Sequence, residues 1–357
     1  MRILGAIALK DIADALRNRT ILALMIGVGL MLLTGMALPA LLQLNPKPQA
    51  IIFDPDKSRR LRSLTARDEF GLTLVDSPAE VAEGLTSMPR AAIGLIMPPG
   101  SLGSPAGGPP GAVTIQGYYA HWMDPAAVAQ QAAFFEAQLS AAGGQTVRIV
   151  TDGHAVYPAL DWGGHPFLFS VTAGLILLIV GLAIVPHLMI EEKEAHTFEA
   201  LLVSPARMSQ VVLGKAVAGI FYCLTAASVV FGLNAWMVVH WEIALLAALL
   251  GAAFGVSAGL LIGTLVDNPA TLSLWVGVLL IPLLVPTFVG FFENTPMPEI
   301  VRAAVPYLPS VAMMKLVKIA LAGDLAGAPI LFNAAVLLSA TALILALTVW
   351  QLRRMEV

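Results

Sequence analysis

The chain is poor in charge and in cysteine. Only 12% of its 357 residues are Asp, Glu, Lys or Arg, whereas 58% are hydrophobic, and the formal net charge is −3. Soluble domains carry roughly twice that share of charged residues, which excludes an ordinary water-soluble enzyme. The single Cys223 cannot form an internal disulfide. The lack of a basic excess argues against a nucleic-acid partner.

Motifs of catalysis are missing as well. The sequence has neither a G-x-S-x-G element nor the short paired spacing of zinc ligands. Gly214-Lys215 is followed by Ala216 and lacks the preceding glycines of a Walker loop. We therefore expect no catalytic residue, no metal and no cofactor on this chain. Any nucleotide energy has to come from a partner.

What the sequence does contain is long uncharged runs. A helix needs about 20 apolar residues to cross the hydrocarbon core of a bilayer, because no backbone group can stay unpaired in lipid. Six runs without Asp, Glu, Lys or Arg are long enough, at residues 20–44, 166–190, 216–239, 243–266, 268–292 and 325–352. They predict an α-helical polytopic membrane protein with six transmembrane helices, one followed by five.

Lys and Arg near the ends of these runs predict an orientation. The N-terminal residues, segment 191–215 and the C-terminal end carry most of them, whereas the opposite short segments hold Arg302, Lys315 and Lys318. By the positive-inside rule, both termini and segment 191–215 are expected in the cytoplasm. The same rule places residues 45–165 outside a plasma (inner) membrane.

The runs divide the chain into residues 1–44, an insertion at 45–165, and a five-span part at 166–357. The insertion holds 8 Lys or Arg and 11 Asp or Glu, with short alternating runs and Pro/Gly turns. This pattern is typical of a folded α+β domain. Strands are predicted at 50–53, 72–75, 91–97, 113–119 and 145–151, helices at 58–69, 78–86 and 125–143, and a Pro/Gly loop at 100–111.

The helix predicted at 125–143 has the clearest boundaries. Asp124 and Pro125 form a start signal, and Gly143-Gly144 form a stop. Between them, apolar residues keep the helical spacing and predict the buried face, at Val128, Ala132, Phe135 and Leu139.

The first residues read as an amphipathic helix from Arg2 to Arg17. Apolar residues recur at the i, i+3, i+4 and i+7 positions, and the polar residues fall on the other face, at Lys10, Asp11, Asp14, Arg17 and Asn18. Such a helix would lie in the membrane interface before the first span. The alternative is a simple charged flank of that span.

An acidic segment follows the second run. Glu191, Glu192, Glu194 and Glu199 are 4 of the 12 acidic residues outside the insertion. Ser204-Pro205 is a strong helix start, so we expect a short, structured cytoplasmic loop at 191–210. The alternative is a solvated connector.

This segment resembles the membrane subunit of type-2 ABC exporters, in the sodium and drug-efflux branch that has a large external domain. The family pattern E-x-E-x-x-T-x-E-x-L-L-x-S-P, followed by G-K, is present here as Glu192, Glu194, Thr197, Glu199, Leu201, Leu202, Ser204, Pro205, Gly214 and Lys215. The plan of one interface helix, one span, an external domain and five spans is similar too. His196 departs from the glycine that many members carry.

The resemblance implies that the loop contacts a separate ATPase subunit and that two permeases pair around a central path. The ATPase-coupling residues that it implies are Glu191, Glu192, Glu194, Thr197, Glu199, Ser204 and Pro205. The candidate residues on the interface helix are Lys10, Asp14 and Arg17. The implied partners are ABC ATPase subunits carrying ATP and Mg, a second permease copy or a related permease, and membrane lipid.

Few residues suggest a substrate path. His187 and Asn234 are the main polar candidates near the span ends, although most polar residues in spans serve helix packing. Segment 293–324 is apolar but interrupted by prolines and charges, which predicts a re-entrant pair of short helices, as in the related exporters. In that pair, Lys315 and Lys318 would lie near an outer exit or meet lipid headgroups.

The sequence therefore favours a permease that moves a drug, a lipid-like molecule or an ion out of the cytoplasm. Two alternatives are an ion-coupled secondary transporter and a membrane-anchored sensor with an external ligand-binding domain. The first usually has acids within its spans, and these spans have none. The second needs a cytoplasmic output domain or partner, and the longest cytoplasmic segment has only about 20 residues.

Overall fold

The structure is a computed structural model that describes residues 9–13, 19, 22–23, 26–27, 29–30, 47–65, 69–87, 92–101, 113–159, 164–194, 208–289 and 298–355. The chain forms two compact units. The helical unit comprises Met1–Thr34, Phe169–Ala320 and Leu325–Val357, and the sheet unit comprises Gly35–Leu168 and Leu321–Asp324.

The sheet unit is an α+β arrangement around six strands. The strands follow the order β2-β1-β3-β4-β5, with β6 also paired to β4, and every pair is parallel except the antiparallel β3 and β4. In chain order the elements are β1 (Gln49–Phe53), α1 (Arg59–Leu64), β2 (Gly71–Val75), α2 (Pro78–Ser87), β3 (Ile93–Ile96), β4 (Val113–Ala120), α3 (Pro125–Gly143), β5 (Val147–Val150) and β6 (Ala155–Val156).

Alternating side chains of the strands form a core on each face of the sheet. On β1, Ile52 packs in the same cluster as Leu61 of α1 and Phe135 of α3. The preceding residue, Ile51, points to the other face and packs with Val81 of α2. The period of two along a strand thus places helices on both faces.

The five predicted strands and three predicted helices are confirmed, and β6 is an addition. The start of α3 is also as predicted, because Asp124 Oδ1 accepts a hydrogen bond from Ala126 N at 3.1 Å. The helix ends at Gly144, whose φ of 68° favours glycine. Its four predicted apolar residues are buried.

The first helix is shorter than predicted. It ends at Leu64 rather than at residue 69. The Thr65 hydroxyl donates to the carbonyl oxygen of Arg62 at 2.7 Å. The predicted Pro/Gly loop at 100–111 lies almost wholly outside the described residues.

The helical unit holds the long apolar helices. Within the described residues, five are long and apolar enough to cross a membrane, at Pro166–Ile190, Val211–Leu233, Trp241–Leu265, Pro269–Phe288 and Ile330–Arg354. They correspond to the last five predicted runs, and the run at 20–44 lies largely outside the described residues. The helices are α4 (Gly164–Glu194), α5 (Met208–Leu233), α6 (Trp241–Leu265), α7 (Pro269–Val289), α8 (Glu299–Ala304), α9 (Pro309–Leu321) and α10 (Ile330–Met355).

The segment before α10 is broken into two short helices, as predicted. The stretch Glu299–Tyr307, which contains α8, is bent by 70° against α9. Most of α9 is core, since every residue from Ser310 to Ala322 is buried except Lys315 and Lys318. The pair is therefore packed into the unit at its second helix rather than lying on its surface.

Two of the long helices approach each other backbone to backbone. A Cβ on Gly259 of α6 would overlap the carbonyl oxygen of Gly181 of α4, and one on Gly255 would lie 3.0 Å from Leu177 O. Only glycine permits so close a crossing. This contact fixes the position of α4, the helix that leads into the acidic segment.

Candidate coupling site

The acidic residues after the second run begin inside a helix. α4 continues past its last apolar residue, Ile190, and ends at Glu194. Glu191, Glu192 and Glu194 are therefore part of the helix that the glycine crossing holds in place. The other predicted coupling residues lie outside the described residues, namely Thr197, Glu199, Ser204 and Pro205.

A buried lysine joins the two ends of this segment. The side chain of Lys215, on α5, is completely buried. Its Nζ donates a hydrogen bond to the carbonyl oxygen of Leu188 on α4 at 2.9 Å. Because Leu188 precedes the acidic segment and Lys215 follows it, this bond closes residues 189–214 into a loop with a fixed base.

An acidic residue of the N-terminal helix, residues 9–13, balances the charge of Lys215. Asp11 Oδ2 lies 3.5 Å from Lys215 Nζ, and the Asp11 side chain is 5% exposed. Charged side chains are seldom so deeply buried unless they are paired, because desolvation costs several kcal/mol per ion. The prediction that Asp11 shares a water-facing side with Lys10 is therefore wrong for Asp11, although Lys10 is exposed.

A second bond joins the N-terminal helix to α5. The hydroxyl of Tyr222 donates to the carbonyl oxygen of Ile12 at 2.6 Å. Tyr222 follows Lys215 by seven residues, which is two helical turns, so both lie on one face of α5. We call these five residues the staple: Asp11, Ile12, Leu188, Lys215 and Tyr222.

Sequence reasoning assigned no role to Asp11 or Tyr222. One signal was available, because Lys215 is the only Asp, Glu, Lys or Arg in the span Val211–Leu233. An ionisable residue inside a span needs a partner at the same depth. Asp11 is one of the acids near the end of the span that holds Lys215. The bond from Tyr222 to a main-chain carbonyl has no sequence signature.

The remaining predicted residues are spread over the helical unit. His187 is half-buried on α4, one residue before Leu188. Asn234 follows α5 about 28 Å farther along its axis than Lys215, and its side-chain nitrogen donates to Val230 O at 2.9 Å. Asn234 thus serves its own helix and does not lie near His187. Asp14 and Arg17 lie outside the described residues.

Lys315 and Lys318 lie toward the end of the unit where Asn234 is found. The carbonyl oxygen of Ala320 accepts hydrogen bonds from Val239 N at 3.0 Å and His240 N at 2.9 Å. This places the last turn of α9 beside the connection between α5 and α6. The two lysines are one turn apart and half-buried, so they form the accessible strip of an otherwise enclosed helix.

Metal or cofactor ligands do not assemble in the part of the chain that the structure describes. There, no group of three or more His, Cys, Asp or Glu residues could hold a metal ion. The staple holds three helices together through a buried charge pair and hydrogen bonds to two main-chain carbonyls.

One comparison with known proteins finds a family, and another finds no match. A sequence model of the family described as ABC-2 family transporter protein matches residues 19–350. The match covers residues of both units and nearly the whole chain. A search of curated proteins finds no match.

Proposed function

The chain belongs to the ABC-2 family of transporter proteins, and we propose from this membership that it is the permease subunit of an ATP-driven exporter. A member of this family is an integral transport subunit that works with ABC ATPase subunits and is not itself catalytic. The match over residues 19–350 is the observation that carries the proposal. In the proposal, ATP and Mg bind to the partner ATPase, whose hydrolysis drives the movement of substrate.

The acidic segment is proposed as the contact with the ATPase. It begins on α4, a helix that the Gly181–Gly259 crossing fixes in the bundle, and its base is closed by the bond between Lys215 and Leu188. A force that the ATPase exerts on this loop would displace the ends of α4 and α5 together. A flexible connector would change its own conformation instead and leave the two helices in place.

The charge distribution supports a cytoplasmic position for this end of the spans. Lys10 and Lys215 belong to this end, and so does Arg354 if each long helix crosses once. Arg354 stacks over the ring of Trp350 at 3.8 Å, a pairing that suits a membrane interface. We propose that both termini are cytoplasmic and that the sheet unit is extracytoplasmic, in a plasma (inner) membrane.

This orientation is tested with single cysteines in a C223A background. D152C in the sheet unit and R353C near the end of α10 replace exposed residues. A membrane-impermeant maleimide applied to intact cells should label D152C and leave R353C unlabelled until the cells are opened. Labelling in the reverse order would contradict the orientation.

The proposed transport path is formed with a second copy of the chain or a related permease. Lys315 and Lys318, as the accessible strip of α9, would line an outer exit or meet lipid headgroups. His187 and Asn234 are proposed to flank the path near its two ends. The five described spans hold one acid, Glu242 in the first turn of α6, and a path through such spans favours a drug or lipid-like substrate over a bare ion.

The exporter proposal is tested by capture and turnover. The chain is expressed with an ABC ATPase subunit, purified in detergent and reconstituted, and ATP hydrolysis is measured for the parent and for E192K/E194K. We expect the parent to retain the ATPase, and the double reversal to lose or uncouple its turnover. The control is E83K/D152K, which reverses two exposed acids of the sheet unit and should behave as the parent does.

Two results would contradict the proposal. Normal turnover in E192K/E194K would remove the acidic segment from the coupling mechanism. Failure to retain any ABC ATPase would remove the exporter assignment itself and favour the transporter or sensor alternative.

A further inference from the structure

We propose that Lys215 and Asp11 are positioning residues that lock the N-terminal helix, the end of α4 and the start of α5 into one body, so that movement of the acidic segment reaches the N-terminal helix. The inference rests on the proposed function and adds the route by which the movement spreads. None of the residues involved needs to touch substrate or nucleotide.

Lys215 closes the base of the acidic segment. Its Nζ is bonded to Leu188 O, six residues before the end of α4 at Glu194 and seven residues after the start of α5 at Met208. α4 and α5 are therefore joined near the two ends of the acidic segment. We expect displacement of the segment to carry α4 and α5 together instead of separating them.

The charge of Lys215 ties the N-terminal helix to α5. Its ammonium is fully buried within a span, where an unneutralised charge is costly, and Asp11 lies 3.5 Å away on the N-terminal helix. If the N-terminal helix left the face of α5, Asp11 and Lys215 would each lose the opposite charge. The ion pair therefore ties this helix to α5 throughout a transport cycle.

The N-terminal helix has a second attachment to α5. A single ion pair would let the N-terminal helix swivel about one contact. The hydroxyl of Tyr222 donates to Ile12 O at 2.6 Å, so the residue next to Asp11 is also held by α5. The two contacts, one through a side chain and one through the main chain, restrict rotation of the N-terminal helix about the ion pair.

Stability alone does not account for a buried ion pair. Replacing such a pair by apolar residues of similar size is often neutral or stabilising. The variant D11L/K215M can therefore keep the fold while removing the electrostatic lock. K215R keeps the charge, and Y222F removes only the second attachment.

The test measures distances and turnover on the full chain. In a C223A background, spin labels are attached at L9C and L213C, which replace exposed residues on the N-terminal helix and α5. Distances are recorded in lipid nanodiscs for the permease alone and for its complex with the ABC ATPase, without nucleotide and trapped with ATP and vanadate. ATP turnover of each complex is measured in parallel.

The lock predicts one narrow distance distribution that keeps its position in all states. In D11L/K215M we expect a broadened or shifted distribution, with ATP turnover in the complex lowered clearly below that of the parent. K215R should keep the parental distance distribution and ATP turnover. Y222F should broaden the distance distribution less than D11L/K215M does. The control T225A removes a hydroxyl that bonds only its own helix, to Phe221 O, and should match the parent.

Several results would overturn the inference. One is a parent distance that shifts when nucleotide is trapped, and another is a D11L/K215M complex with parental distances and turnover. If no ATPase is retained, the exporter proposal fails by itself. In that case the distances measured on the permease alone still test the ion-pair lock. Equal widths of the distance distribution in the parent and in D11L/K215M would overturn it.

Discussion

The two units of the molecule differ most in the side chains that they leave exposed. In the sheet unit, Phe135 and Ile52 are completely buried. In the helical unit, the completely buried side chains include that of Lys215, whereas Leu274 and Ile281 are more than 60% exposed. Large apolar side chains therefore face outward in the helical unit, where a charged side chain is completely buried.

The difference shows that the surrounding solvent, and not the residue type, decides what is buried. Water around the sheet unit drives apolar side chains inward at about 25 cal/mol for each Å² removed from contact. Lipid around the helical unit is as apolar as leucine, so exposed leucines cost nothing there, while each polar group has to find a partner. The staple is the clearest case of such pairing.

The largest expected effect is a cavity in the water-surrounded core. F135A should lower the free energy of unfolding of the sheet unit by about 3–5 kcal/mol, because the ring is fully enclosed between α3 and the sheet. Hydrogen exchange of the β4 and β5 amides in the full chain measures the change. F134A removes a partly buried neighbour and should cost clearly less, so equal effects would show that burial does not set the cost.

A matched pair of charge insertions makes the comparison sharper. I281D places a carboxylate on an exposed position in the middle of α7, and L74D does so on β2, where Leu74 is 37% exposed. In lipid the charge should cost about 2.5–3.5 kcal/mol. On β2 the low strand propensity of Asp should cost about 1 kcal/mol. The readout is the amount of folded protein recovered from membranes. A tolerated I281D would contradict a lipid-facing α7.

Glycine packing should matter only where two backbones meet. G259V forces apart α4 and α6, because any Cβ overlaps the Gly181 carbonyl, and should cost about 1–3 kcal/mol. G277V on α7 meets no atom within 4 Å. Thermal unfolding in detergent should separate the two variants, and similar midpoints would contradict the close crossing.

The smallest of these effects concerns a helix cap. D124A removes the carboxylate that accepts from Ala126 N at the start of α3, with an expected cost of about 1 kcal/mol. Hydrogen exchange in the first turn of α3 measures it. D152A, an exposed Asp within a turn, is the control and should leave that exchange unchanged.

The sequence predicted the sheet unit well because its signals are local. Asp124-Pro125 and Gly143-Gly144 bound α3, and two-residue alternation marks the strands. β6 has two residues, Ala155–Val156, which is too short for any periodic pattern. The early end of α1 at Leu64 has no proline or glycine after it to mark it in the sequence.

The spans were predictable for a different reason. Length and lack of charge suffice when every backbone bond is internal to the helix. The staple was not predictable in this way, because Asp11 and Lys215 are 204 residues apart and their contact depends on how helices pack. Amphipathic spacing placed Asp11 with the polar face, and the burial of Asp11 against α5 follows from tertiary structure alone.

We propose that a separate ATPase drives this permease through the acidic end of α4. A photo-crosslink tests this contact, from a benzoylphenylalanine at position 194 in the reconstituted complex with the ABC ATPase. The comparison is a crosslinker at Leu331, in the first turn of α10 at the other end of the bundle. We expect a crosslink to the ATPase from position 194, altered by ATP and vanadate, and none from position 331. No crosslink from position 194, or one from position 331 alone, would contradict the proposal.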